Sequence, residues 1–162
     1  MSAKKFDKTL IIGLGLIGGS FAHSCKKHNI TKEIHACDLD AGAIELAIES
    51  KIIDNFITTD DDFSGFDLIV IATPLSSYKQ IFEKISKTEK ENSKTIIIDL
   101  GSLKGFIPKI LPKNLEKNFI ACHPIAGSEK AGFENSHSEL FNNKKFIICP
   151  NQNNDPSLVK EV

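Results

Sequence analysis

Short apolar runs separated by more polar stretches recur along the 162 residues of this chain. Their lengths are those of β-strands. The runs predict seven strands, at Thr9–Ile12, Glu33–Asp38, Ile52–Thr59, Asp67–Ala72, Thr95–Leu100, Phe119–Cys122 and Lys145–Cys149. Two of them, DLIVIA at Asp67–Ala72 and TIIIDL at Thr95–Leu100, are apolar at most positions. This composition is typical of strands that are covered on both faces of a parallel sheet.

Between these runs, apolar residues return at the three-to-four-residue spacing of helices. The spacing predicts helices over Leu16–Asn29 and Asp40–Ser50, a helix opened by Thr73-Pro74, and a short helical stretch at Leu103–Leu111 that Pro108 and Pro112 interrupt. Strands that alternate with helices predict an α/β fold with a doubly wound, mostly parallel sheet of the Rossmann dinucleotide-binding type.

Two helix starts have recognisable capping residues. Asp40 is the expected N-cap of the second helix, in which Ile44, Ala47 and Ile48 are expected to face inward. Thr73 is the expected cap of the third helix, with a proline in its first turn.

The stretch LIIGLGLIGGS contains the motif G-x-G-x-x-G at Gly13, Gly15 and Gly18, where the first strand turns into the first helix. Gly13 permits a tight turn, Gly15 lets the backbone approach a pyrophosphate, and Gly18 lets helix and strand pack closely. The helix N-terminus then directs free N–H groups at the phosphates. The whole turn, including Leu14, Leu16 and Ile17, is therefore expected to bind a dinucleotide. The alternative is a purely structural glycine turn.

Asp38 ends the second apolar run, 20 positions after Gly18, which is the context expected of a dinucleotide site. Its carboxylate could accept both ribose hydroxyls of the adenosine and would repel a 2′-phosphate. The sequence contains no arginine to accommodate that phosphate, since all 20 basic residues are lysines. We therefore expect NAD rather than NADP as the cofactor.

Composition sets the broad class of the protein. Apolar residues make up 41% and charged residues 25% of the chain, as in soluble globular proteins. The net charge of −1 gives no global field that would recruit nucleic acid or a membrane surface. No apolar run approaches the length of a membrane span, and the N-terminus has no apolar signal core. We expect a cytoplasmic protein with a small-molecule substrate.

The cysteines and the acidic turn offer little support for a metal site. Cys25, Cys37, Cys122 and Cys149 stand singly in apolar runs, so we interpret all four as reduced core residues. The acidic turn Asp60–Asp62 has no further ligand at the spacing of a known metal-binding loop. No metal is expected.

The C-terminal stretch begins a helix at Asp155-Pro156, and the chain stops at Val162. A helix of about two turns is marginal without packing. We expect residues 1–162 to form one dinucleotide-binding domain that is cut where a further domain would begin.

Two later segments are more specific than the glycine motif. They are DLGSLK at Asp99–Lys104 and HPIAGSEKAG at His123–Gly132. Together with GLGLIGGS and with ATP at Ala72–Pro74, they resemble the prephenate/arogenate dehydrogenase family of tyrosine biosynthesis over essentially the whole chain. The resemblance implies an N-terminal NAD(P)-binding domain followed by a helical domain, absent here, through which the family forms homodimers.

The implied reaction is an NAD-dependent oxidative decarboxylation of prephenate, or of arogenate. A hydride leaves the carbon that bears the ring hydroxyl, the hydroxyl becomes a carbonyl, and loss of the ring carboxylate gives a phenol. The family pattern places the catalytic histidine at His123 and its serine partner at Ser102. It also places Glu129 near the substrate entrance, and Lys104 is a weaker candidate for contact with an anion.

The resemblance adds further cofactor-binding residues, namely Ala72, Thr73, Pro74 and Ser102. The positions of Ser102 and His123 in the sequence also indicate that both face one crevice, because ligands of doubly wound sheets bind beyond the carboxyl ends of the strands. Ser102 and His123 each follow such an end within a few residues, and the histidine is expected to lie in an exposed loop.

Simpler roles and rival functions remain open. Ser102 could be a helix N-cap, and Glu129 and Lys130 could be solvated surface charges. The chain could also belong to another Rossmann dehydrogenase of small acids, or to a module that senses NAD without chemistry. Because the chain has no arginine to hold a dicarboxylate, we expect NAD binding but little turnover by these residues alone.

Overall fold

The computed structural model describes residues 6–89 and 93–162. The described residues form one sheet of seven strands: β1 (Phe6–Ile12), β2 (Thr31–Cys37), β3 (Asn55–Phe56), β4 (Leu68–Ile71), β5 (Ile96–Asp99), β6 (Phe119–Pro124) and β7 (Phe146–Cys149). Their order is β3-β2-β1-β4-β5-β6-β7. All neighbours are parallel except β6 and β7, which are antiparallel. The predicted doubly wound, mostly parallel sheet is confirmed.

Helices cover both faces of this sheet. They are α1 (Leu16–Lys27), α2 (Ala41–Glu49), α3 (Tyr78–Thr88), α4 (Ile107–Ile110) and α5 (Pro156–Val159). Buried residues of α1, α2 and α5 share one apolar cluster, and buried residues of α3 and α4 share another. Along each central strand, successive side chains enter opposite clusters: Val70 of β4 joins the first, whereas Ile69 and Ile71 join the second. These strands are therefore apolar throughout because both of their faces are buried.

The strand order reverses between β1 and β4. Strands β2 and β3 lie on one side of β1, and β4, β5, β6 and β7 lie on the other. In such a sheet the loops leaving β1 and β4 diverge to opposite faces and open a crevice at the carboxyl ends of the strands. The segments that carry the predicted site therefore meet at this edge, which we call the carboxyl edge.

The third strand is much shorter than the predicted Ile52–Thr59. The backbone N–H groups of Ile52 and Ile53 donate to the carbonyl of Ala47 and close the end of α2. Further along, the carboxylate of Asp61 accepts the backbone N–H and the hydroxyl of Thr58 and forms a turn. Only Asn55 and Phe56 are left for pairing with β2.

Some details of the helices also differ from the prediction. Asp40 caps α2 as expected, with its carboxylate accepting two backbone N–H groups. However, Ile48 is 38% exposed, because α2 packs chiefly through Ala43 and Ala47. Pro108 lies in the first turn of α4 and opens that helix rather than interrupting it.

The third helix begins later than Thr73-Pro74. A 3₁₀ turn at Leu75–Ser77 comes first, and its N-cap position is Pro74. The prediction that Thr73 caps the helix is wrong, because its Oγ1 is enclosed and has no hydrogen-bond partner in the described structure. The predicted inward face of α3 is confirmed at Tyr78, Phe82 and Ile85, which are fully buried.

The end of the chain packs against the sheet. Asp155 caps α5 through the backbone N–H of Ser157, as its position before proline predicts. Leu158 is buried in the cluster beneath α1 and α2. In the part of the chain that the structure describes, no helix has the length and apolar character of a membrane span. The same residues contain no group of three histidine, cysteine or acidic side chains suited to a metal ion.

Three of the four cysteines are core residues, as predicted, but Cys149 is exposed. It ends β7, an edge strand of the sheet, whose four residues are all exposed. Burial raises the pKa of the Cys25 thiol to about 12. Burial, and then the nearby Asp99 carboxylate, raises the pKa of Cys122 to about 12. Burial, and then Asp38, raises the pKa of Cys37 to about 11.

These thiols should therefore react very unequally. Because the thiolate is the reactive form, we expect brief treatment of the folded chain with iodoacetamide at pH 8 to alkylate Cys149 alone. In denaturant all four cysteines should react. Mass spectrometry of proteolytic fragments measures the outcome, and rapid alkylation of Cys25 in the folded chain would contradict the packing described above.

Candidate functional site

The turn after β1 depends on two glycines. Gly13 has a φ of +96°, and a Cβ there would lie 2.8 Å from the backbone carbonyl of Ala72, after β4. A Cβ on Gly18 would lie 1.9 Å from the carbonyl oxygen of Gly13. Both positions exclude a side chain. The backbones of strand β1, helix α1 and the end of β4 are therefore in direct contact, with no side chain between them. This is the packing that the glycine spacing predicts.

Gly15 differs from these two glycines. A Cβ built on it would meet no atom within 4 Å. It is also the N-cap of α1, and no side chain caps that helix. The first turn of α1 contains no acidic residue, so the positive end of the helix dipole is not offset there. The turn thus has one tightly packed side and one open side, and the open side is suited to an anion.

Asp38 holds the turn against the end of β2. Its Oδ2 accepts the backbone N–H of Leu14 at 2.5 Å, and its Oδ1 accepts the backbone N–H of Asp40 at 2.8 Å. Each carboxylate oxygen can accept more than one hydrogen bond. The half-buried carboxylate therefore fixes the turn and retains capacity for a hydroxyl ligand.

The segment after β4 contributes a second face of the crevice. Ala72 lies against the turn at Gly13, and the Cγ2 of Thr73 would lie 3.0 Å from a Cβ at that glycine. Thr73 Oγ1 is enclosed and has no partner among the described residues. A buried polar atom normally has a hydrogen-bond partner, so this hydroxyl is an exception at the end of β4. Pro74 is exposed at the same place.

His123 lies within β6 rather than in the exposed loop that the sequence predicted. The strand extends to Pro124 because β7 pairs with it, His123 opposite Ile147. The imidazole is consequently half-buried. Its Nδ1 is enclosed by the protein and lacks a hydrogen-bond partner in the described part of the chain. His123 therefore has an unused polar atom at the carboxyl edge.

Ser102 follows β5 by three residues and is exposed. The possibility that it caps a helix is wrong, since the next helix, α4, begins only at Ile107. Within the residues that the structure describes, no hydrogen bond joins Ser102 to His123. Glu129 and Lys130 are exposed in the loop after β6, and the described contacts do not bring Glu129 to any other predicted site residue.

Asp99, the last residue of β5, was not among the predicted site residues. Its side chain is fully buried. Its Oδ2 accepts hydrogen bonds from the Tyr78 hydroxyl at 3.0 Å and from Lys104 Nζ at 2.5 Å. Burial, followed by the Asp99 charge, raises the pKa of Tyr78, which therefore remains a donor. Lys104 thus pairs with Asp99 in this structure, and its predicted contact with an anionic ligand stays a prediction.

One sequence signal could have identified this network. An acidic residue stands at the end of the apolar run TIIID, and a lysine follows five positions later. A buried carboxylate needs hydrogen bonds and a compensating charge, so the lysine was the natural partner.

Comparisons with known proteins agree with this geometry. Residues 21–162 match the family model described as "Prephenate dehydrogenase, nucleotide-binding domain". The chain belongs to this family. The family resemblance seen in the sequence is thereby confirmed.

Characterised relatives are longer than this chain. Prephenate dehydrogenase of Bacillus subtilis is 31% identical over 163 aligned positions, which cover 96% of this chain and 43% of the relative. Cyclohexadienyl dehydrogenase of Zymomonas mobilis is 30% identical, covering 90% of this chain and 50% of the relative. The chain therefore spans about half the length of these relatives.

Solved structures show the same fold. The structure of Aquifex aeolicus prephenate dehydrogenase in complex with hydroxyphenyl propionate and NAD+ superimposes with a TM-score of 0.84 at 33% identity. The match covers 95% of this chain and 54% of that one. Synechocystis arogenate dehydrogenase has a TM-score of 0.83 at 24% identity, a likeness of fold alone.

The two kinds of glycine in the turn make a matched test. We expect Gly18→Ala to destabilise the fold by several kcal/mol, since overpacking at well-packed positions already costs about 1–3 kcal/mol and backbone lies in the way here. Gly15→Ala, at an N-cap position where alanine is less favourable than glycine, should cost only about 1 kcal/mol of stability but weaken nucleotide binding at least tenfold.

Urea denaturation and calorimetric titration with NAD+ measure the two effects. A Gly15→Ala variant that binds as tightly as the unmodified chain would show that the open side of the turn is not the binding surface.

Proposed function

We propose that this chain is the NAD+-binding unit of a dehydrogenase that oxidatively decarboxylates prephenate or arogenate. The observation that carries the proposal is the presence, at one edge of the sheet, of an open glycine turn and of the half-buried His123 at the end of β6. Membership of the family and the NAD+ complex of the Aquifex relative support it.

The residues present fit this cofactor. The open side at Gly15 and the uncapped start of α1 suit the pyrophosphate, which would lie against Gly13–Gly18. The Asp38 carboxylate suits the ribose hydroxyls of the adenosine. The segment Ala72, Thr73 and Pro74, which lies against the glycine turn, suits the part of the cofactor that crosses the end of β4.

Selectivity for NAD+ over NADP+ follows from the same residues. Two backbone N–H groups hold the Asp38 carboxylate in place. The side chain therefore cannot rotate easily to move its negative charge away from a 2′-phosphate. The chain has no arginine to offset that phosphate.

The chemistry divides between cofactor and protein. NAD+, when bound, supplies the hydride acceptor. His123 accepts the proton of the ring hydroxyl, as an imidazole can near neutral pH. The proton moves to Nε2, because Nδ1 is enclosed by the domain. Ser102, on the neighbouring loop, either orients this imidazole or contacts the substrate and the nicotinamide. Glu129 is proposed near the substrate entrance.

The ring and side-chain carboxylates of the substrate are best held by the bidentate guanidinium group of arginine. The chain has no arginine, and Lys104 already pairs with Asp99. We therefore propose that groups outside these 162 residues hold the substrate, and that the isolated chain binds NAD+ but turns over little.

Cofactor choice is the first prediction of this proposal. We expect NAD+ to bind at least about tenfold more tightly than NADP+, and Asp38→Asn to reduce that ratio, because the amide removes the charge but can still accept from Leu14. Asp54→Asn is the control, since Asp54 also accepts a backbone N–H of β2, that of Ile34, away from the carboxyl edge. Calorimetric titration measures the affinities of the three proteins for both cofactors; equal affinities in the unmodified chain would contradict the proposal.

The role of His123 is the second prediction. In the full-length polypeptide that carries this chain, we expect His123→Asn to lower kcat with prephenate by about 10²–10⁴-fold, the usual contribution of a general base. The dissociation constant of NAD+ should change less than twofold. NADH absorbance at 340 nm measures turnover. Bound NAD+ without any turnover in the unmodified polypeptide would favour a module that only senses the cofactor.

A further inference from the structure

The carboxylate of Asp99 binds two backbone N–H groups next to the proposed site residues. Each belongs to the residue that precedes Ser102 or His123. Its Oδ2 accepts the backbone N–H of Gly101, which precedes Ser102, at 3.2 Å. Its Oδ1 accepts the backbone N–H of Cys122, which precedes His123, also at 3.2 Å. The loop after β5 and the end of β6 are thus joined by one side chain.

The contact with Cys122 lies where the backbone pairing of β5 and β6 ends. The last residue pair in that register is Asp99 opposite Ala121. Beyond it, the N–H of Cys122 points toward β5 and donates to the carboxylate instead of a backbone carbonyl. On its other side, β6 remains paired with β7 through His123 and Pro124. The side chain of Asp99 therefore extends the support of β6 up to the histidine.

The carboxylate is itself fixed in place. The Tyr78 hydroxyl and the Lys104 ammonium group donate to the same Oδ2 that holds Gly101. A Cβ on Gly101 would lie 2.6 Å from the Tyr78 hydroxyl and 3.2 Å from that oxygen. The loop therefore lies directly on the network and cannot shift without breaking it.

We propose that Asp99 is a positioning residue that sets the placement of Ser102 relative to His123 through the peptide groups of Gly101 and Cys122. The assignment rests on the proposed function for the chemical roles of Ser102 and His123. A displacement of about 1 Å in a reacting group can lower a rate about 10²-fold. Asp99 thus affects the reaction without touching the substrate or the cofactor.

The variant Asp99→Asn tests this arrangement. It keeps the shape of the side chain but leaves one oxygen and one NH₂ group where two oxygens accept from four donors. At least one backbone N–H should therefore lose its partner.

NMR of the labelled chain gives a readout that does not need turnover. We expect Asp99→Asn to shift the ring signals of His123 and the amide signal of Ser102. The ring signals of His28, which is exposed at the end of α1, should remain in place. NAD+ affinity should change less than twofold. Unchanged His123 and Ser102 signals in the folded variant would overturn the proposal.

Asp67→Asn is the matched control. Asp67 also accepts two backbone N–H groups, those of Asp7 and Lys8 at 2.7 and 2.9 Å, but at the opposite edge of the sheet. If Asp67→Asn shifted the His123 signals as much as Asp99→Asn, the effect would be a general loss of stability and the proposal would fail.

Turnover of the full-length polypeptide completes the test. Asp99→Asn should lower kcat about 10- to 100-fold, with less than a twofold change in the KM for NAD+. If the unmodified polypeptide lacked prephenate-dependent turnover, the proposed function would fail. The NMR comparison would still test whether Asp99 sets the placement of Ser102 relative to His123.

Should Asp99→Asn not fold, Tyr78→Phe takes its place, because it removes one donor from Oδ2 and leaves the backbone partners intact. The same signals should then shift by a smaller amount. No shift at His123 or Ser102 in that variant would likewise overturn the proposal.

Discussion

The close approach of three backbone segments at the carboxyl edge is the constraint on which the rest of the structure depends. The turn after β1 packs against Ala72 and against the start of α1 at distances that no side chain at Gly13 or Gly18 would permit. This contact fixes α1 on one face and directs the segment after β4 to the other. The crevice between them, and the free N-terminus of α1 within it, follow from that packing.

Two carboxylates then hold the loops around the crevice. Asp38 binds the glycine turn to the end of β2, and Asp99 binds the loop after β5 to the end of β6. Both do so by accepting backbone N–H groups, which is a strong form of hydrogen bond because the acceptor is charged. In a chain without arginine, these acidic side chains organise the site and leave helix N–H groups as the main donors to an anion.

Much of this could be predicted from the sequence. The fold class follows from fully apolar runs alternating with amphipathic helices, and the glycine turn follows from spacing alone. The length of β3 could not be predicted, because the fate of Ile52 and Ile53 depends on hydrogen bonds to the end of α2. The setting of His123 in a strand could not either, since β6 is extended by antiparallel pairing with β7, a contact between distant segments. The full role of Asp99 could not be predicted, because the lysine five positions later indicates an ion pair but not the tyrosine hydroxyl and the two backbone N–H groups that also converge on this carboxylate.

We propose that NAD+ occupies the carboxyl edge, where the strand order reverses between β1 and β4. Amide NMR of the chain during an NAD+ titration tests it most directly. The largest shifts are expected at Gly13–Gly18, Asp38 and Thr73. The described structure also contains a cavity between α4 and the edge formed by β6 and β7, lined in part by Pro108, Leu111 and Cys149. Shifts concentrated around that cavity, with the glycine turn unchanged, would contradict the account.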